Sequence, residues 1–110
     1  MLDVTEKFLN DIEKIEKDEI IRDDGYYAVY LCEEIGKIYI NECEGDVNKT
    51  INAFNEIYND KEAADVLRCM AGICVCVIKL RVAKTREDIN LKKHSVEGIR
   101  KFLTMIDKII

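Results

Sequence analysis

From about Lys61 to Val82, or slightly beyond, the chain reads KEAADVLRCMAGICVCVIKLRV, a helix-length run that is apolar nearly all round. Only Lys61, Arg68 and Lys79 form a narrow polar strip along it. A helix of that kind belongs at the centre of a bundle or in a subunit interface, because no face of it is suited to water. The remaining segments must cover it, and their apolar residues recur at helical spacing. Leu2 to about Ile21 carries Val4, Phe8, Ile12 and Ile15 on one side and charge on the other. Asp23, Asp24 and Gly25 supply turn and capping chemistry before a second helix from about Tyr26 to Cys43, which Gly45 ends. Asp46 is placed to cap a shorter helix through Val47, Ile51, Phe54, Ile57 and Tyr58, terminated by Asn59 and Asp60. A charged connector, KTREDINLKKH, leads to a last helix with Val96, Ile99, Phe102, Leu103, Ile106 and Ile110 on its core side.

With no proline, five glycines and no strand alternation, repeat or linker, the expected fold is all-α. The reading is one domain over residues 1–110, an antiparallel bundle of four to five helices with short loops. A chain of 110 residues buries a real core but is only moderately stable alone. The central helix also has more apolar circumference than such a monomer readily covers. A homo-oligomer, dimer or tetramer, is therefore expected, with Met70, Ile73, Val75 or Val77 in or near the interface.

Composition removes several function classes. A net charge of −5 argues against a broad grip on nucleic acid, which needs clustered Lys and Arg to neutralise phosphates. The run CMAGICVCVI is too short to cross a bilayer ~30 Å thick, so no membrane span is expected. Cys32, Cys43, Cys69, Cys74 and Cys76 are an odd set without zinc-finger spacing and without a signal-peptide pattern ahead of them. They read as core residues of a protein in the reduced cytoplasm. No glycine-rich phosphate loop, nucleophile elbow or Cys/His catalytic pair is present.

Chemistry, if the chain has any, rests on two acidic clusters set among apolar residues: Glu33 and Glu34 in LCEEIGKIY, and Glu62 and Asp65 in KEAADVLRCM. Turning each residue by about 100° puts Glu62 in line with Ile73 and Leu80, and Asp65 in line with Cys69 and Cys76. Both acids are thus expected to start a stripe that becomes core and to point inward. Glu34 falls at the edge of the stripe made by Tyr27, Leu31 and Ile38, with Glu33 turned away. The plain alternative is a first-turn carboxylate stabilised by the helix dipole at Glu62, and a solvated rim at Glu33 and Glu34 with Lys37 as ion-pair partner.

The combination of LCEEIGKIY with KEAADVLRCMAGICVCV resembles the all-α nucleoside triphosphate pyrophosphohydrolase superfamily, which holds MazG-like proteins, dimeric dUTPases and phosphoribosyl-ATP pyrophosphatases. The family motif is E-E-x-x-E followed, after a variable insert, by E-x-x-D. Glu33 and Glu34 match the opening pair, Gly36 a frequent small residue, and Glu62 and Asp65 the second half within an A-A-D-V-L context. The match spans Tyr26 to Leu80. The resemblance implies a MazG-like bundle with a Mg²⁺ site between two helices, Glu34, Glu62 and Asp65 as metal ligands, and Glu33 as ligand or positioner of the attacking water. It implies a nucleoside triphosphate or related nucleotide as substrate, with Lys92, Lys93 and Arg100 as phosphate-binding candidates.

Lys37 stands where the motif closes with an acid. A cation there changes the local charge by two units, so the expected activity is a Mg²⁺-dependent pyrophosphohydrolase or a catalytically impaired nucleotide-binding descendant in which Lys37 itself meets a phosphate. The competing reading is a small acidic helical interaction or inhibitor protein, of the bacteriocin-immunity or phage-encoded kind, that binds a basic surface and has no enzymatic activity.

Overall fold

The computed structural model describes residues 27–109, with side chains from Glu34 onward, together with the helical residues Asn10 and Lys14. The rest of the expected helix from Leu2 to Ile21 lies outside the described residues. Within residues 27–109 four helices follow one another: α1, Tyr27–Asn41; α2, Val47–Asn59; α3, Asp65–Arg86; and α4, Ile89–Ile109. The described residues contain no strand. None of their helices is long and apolar enough to cross a membrane.

Each turn is built by a specific device. After α1, Glu44 and Gly45 both take left-handed backbone conformations (φ 55° and 72°), and the Gly45 N–H donates to the Tyr39 carbonyl at 2.8 Å. The Asp46 carboxylate then accepts from the N–H groups of Asn48 and Lys49 at 2.9 and 3.1 Å, the cap expected from sequence. Buried Thr50 donates its hydroxyl to the Asp46 carbonyl at 2.8 Å, so no polar atom there is left unmet.

The connection between α3 and α4 is far shorter than the charged connector suggested. α3 continues through Arg86, Glu87 turns left-handed (φ 56°), and the Asp88 N–H closes on the Ala83 carbonyl at 2.9 Å. The Asp88 side chain in turn accepts from the Leu91 N–H at 3.0 Å and starts α4. That geometry is a Schellman-type stop followed at once by an N-cap.

α3 is the central element, as its composition demanded. α4 covers it most extensively, α2 next, and α1 along its second half. Ile73, Val77 and Leu80 are all but inaccessible and share one core with Ile35, Val96, Ile99 and Leu103, and Ala83 is buried as well. Full burial of one such aliphatic side chain contributes about 1.5–3 kcal/mol. The interface expectation changes accordingly. Ile73, Val75 and Val77 are taken up by the chain's own neighbours, whereas Met70, with Leu67 one turn away, is about half exposed.

Candidate functional site

Ile35 of α1 shares the core with Ile78 of α3, and Tyr39 and Ile40 line one cleft with Arg81 and Arg86. At the other end of α3, the Arg68 side chain donates from Nε to the Tyr58 carbonyl at 2.9 Å, tying the last turn of α2 to the first turns of α3. The two halves of the acidic motif therefore sit at different heights. Glu34 lies beside Ile35, near the level of Ile78. Asp65 opens α3 thirteen residues earlier, about 20 Å down the axis at 1.5 Å per residue.

Their surroundings differ from the inward placement expected of them. Glu62 is not on the central helix, because the Asp60 side chain accepts the Glu62 N–H at 3.0 Å and the Asp60 carbonyl accepts the Ala63 N–H at 3.2 Å. That turn delays the helix start to Asp65 and leaves Glu62 exposed. The Asp65 side chain is 75% exposed, although Cys69 one turn later is buried. Its nearest cation is Arg68, 4.0 Å away. Glu34 accepts from the Lys37 ammonium at 3.1 Å, an exposed i, i+3 pair worth about 0.2–0.5 kcal/mol.

Glu33 lies on α1, and its side chain is outside the described residues. Among the described residues no group of three His, Cys, Asp or Glu side chains stands together as a metal cradle. Among the described side chains, Glu34, Glu62 and Asp65 form no shared donor set within one chain. The phosphate-binding candidates are likewise divided: Lys37 is on α1, while Lys92, Lys93 and Arg100 are on α4, and the backbones of these two helices do not approach one another.

The cysteines behave as packing groups. Cys43, Cys69 and Cys74 are buried and Cys76 is half-buried, while the Cys32 side chain is outside the described residues. Burial pushes the Cys69 thiol above its ordinary pKa, Asp65 adds to that shift, and Arg68 opposes it. Burial likewise raises Cys76, with Lys79 pulling the other way. Thiols held protonated in this way are poor nucleophiles and poor metal ligands.

Two features carry more than the motif acids do. From Glu42 to Asp65 the surface is acidic: Glu42, Glu44, Asp46, Glu56, Asp60, Glu62 and Asp65 are all exposed, against Lys49 and Lys61. From Val66 onward Lys and Arg outnumber Asp and Glu ten to four, so charge is divided along the chain. Reading charge by segment would have found this division, which the modest net charge conceals. The second feature is an open cleft of about 480 Å³ at the junction of α1, α2 and α3, lined at its mouth by Arg81 and Arg86. It depends on which helices meet, and no single segment announces it.

The chain matches no family model, no curated protein and no solved structure.

Proposed function

We propose that this chain is a helical interaction module that offers the acidic side built by α2 and its flanking turns to a basic partner surface. The observation that supports it is the run of seven exposed carboxylates from Glu42 to Asp65. Four of these have local work: Asp46 caps α2, Glu44 pairs with Lys49 at 3.4 Å, Asp60 accepts the Glu62 N–H at 3.0 Å and Asp65 stands 4.0 Å from Arg68. Glu42, Glu56, Asp60 and Glu62 make no ion pair with a cation among the described residues. An acidic field of this kind raises the rate of encounter with cations and disfavours anionic partners.

The test compares two equal changes in charge. Association with an arginine nonapeptide is measured for the wild type, for Glu56→Gln with Glu62→Gln, and for Glu87→Gln with Glu97→Gln in the basic half. The first pair weakens association about tenfold in low salt and the second leaves it nearly unchanged. Equal weakening by both pairs reduces the effect to net charge and removes the proposal.

A second reading is the MazG-like one, a Mg²⁺-dependent nucleoside triphosphate pyrophosphohydrolase or an impaired nucleotide-binding descendant of one in the cytoplasm. What favours it is that α1 and α3, the helices carrying the two halves of the motif pattern, are packed neighbours. It requires Glu33 and Glu34 of one copy to meet Glu62 and Asp65 of another, so it stands or falls with a homo-oligomer. Mg²⁺-dependent thermal stabilisation by a triphosphate supports it, and indifference to both supports the interaction module.

A further inference from the structure

The cleft at the junction of α1, α2 and α3 combines an apolar floor with unpaired positive charge. Ile35 and Ile78 are buried at its base beside Thr50, whose hydroxyl is satisfied by the Asp46 carbonyl. On α3, Arg81 and Arg86 stand about 140° apart around the axis, at the two edges of a stripe that turns its middle to the cleft. Neither makes an ion pair with a carboxylate among the described residues. Among the described residues no Asp or Glu lines the cleft, in a chain where acids outnumber bases 22 to 17. Cations near the end of a helix are favoured by its dipole whatever they face, so charge alone would not make a site. The apolar-floored cleft beside them is the independent observation, and its volume lies within the range of small-molecule pockets.

We propose that this cleft binds an amphipathic anion, an apolar chain or ring ending in one carboxylate or phosphate, with its body on Ile35 and Ile78 and its charged end held by Arg81 and Arg86. A guanidinium presents parallel N–H donors that match either oxyanion, and an apolar floor rewards a body that displaces water from it. This inference is independent of the acidic interaction face, which lies on other residues.

Gly36 supplies the sharpest test. It lines the cleft, and a Cβ added to it meets nothing within 4 Å, so a large side chain there plugs the cleft without a clash in its own fold. Decanoate, decyl phosphate and decanol are titrated into the full chain by calorimetry, below their aggregation limits. Decanoate and decyl phosphate saturate at one per chain, the tighter of the two naming the headgroup, and decanol binds at least tenfold more weakly. Arg81→Gln with Arg86→Gln lowers anion affinity at least tenfold and leaves decanol unchanged. Gly36→Phe abolishes binding of all three with helical circular dichroism retained, and Gly36→Leu does the same as a smaller plug. Equal affinity for decanol and decanoate, or anion binding that survives both Gly36 variants, overturns the proposal.

Discussion

Phe102 of α4 lays its ring against Gly72 of α3 so closely that a Cβ built on Gly72 would stand 2.5 Å from the ring's Cζ atom. The same ring meets Tyr58 of α2 edge-on, with centroids 5.6 Å apart and planes at 81°. Arg68 in turn places its guanidinium 6.0 Å from the Tyr58 ring centre. One glycine therefore sets the spacing at which α2, α3 and α4 lock together.

Gly72→Ala should destabilise the protein, although alanine is the better helix former. Overpacking against a rigid ring costs about 1–3 kcal/mol, against a propensity gain of at most about 1 kcal/mol. Gly98→Ala is the control. Its new Cβ would meet the Cys76 Sγ at 2.7 Å, but that atom ends a side chain that can turn away, so little or no loss is expected. Urea denaturation of the two variants should show a lowered midpoint for the first alone.

Glu87 occupies a left-handed position that favours glycine. Glu87→Gly should stabilise by about 0.5–1 kcal/mol by removing the steric penalty of a Cβ there. Asp88→Ala, two atoms' breadth away in function, should instead lose about 1 kcal/mol because the Leu91 N–H is left without its cap. Thermal unfolding should therefore move in opposite directions for these adjacent residues.

The raised thiols give a pH dependence with a definite sign. Cys69 and Cys76 keep their protons in the folded chain at pH values where the unfolded chain has begun to release them, near ~8.5. The folded state then binds more protons, so stability is intact below that pH and falls as pH rises towards the folded values. Urea midpoints that decline above pH ~8.5 in the wild type, and decline less in Cys69→Ala with Cys76→Ala, would agree. An equal decline in both would assign the loss to other groups.

Much of the fold was legible because helical period and capping chemistry are local. The apolar wrap of α3 placed it at the centre, and Asp46, Asn59 and Asp60 marked both ends of α2 to the residue. The start of α3 was not legible, since the Asp60 turn competes with helix over Lys61 to Ala64 and wins through two hydrogen bonds to residues 62 and 63. Azimuth was sound as far as it went, for Asp65 does lie above buried Cys69. What azimuth cannot supply is height. Whether neighbours extend far enough along the axis to cover a given turn depends on packing between segments distant in sequence, and the Asp65 side chain is left exposed.

Lys37 is where the motif pattern and the observed pairing meet, and calorimetric titration of Mg²⁺ with a non-hydrolysable nucleoside triphosphate into wild type and Lys37→Glu is the most direct trial. With Glu34 ion-paired to Lys37, Glu62 exposed in the turn before α3, and Asp65 exposed about 20 Å down α3 from the level of Ile78, neither protein should bind the pair saturably. Lys37→Glu should only lose a few tenths of a kcal/mol of stability, from like charge beside Glu34. A saturating, Mg²⁺-dependent heat in either protein that Asp65→Asn abolishes would contradict this, and would place the acids in a metal site after all.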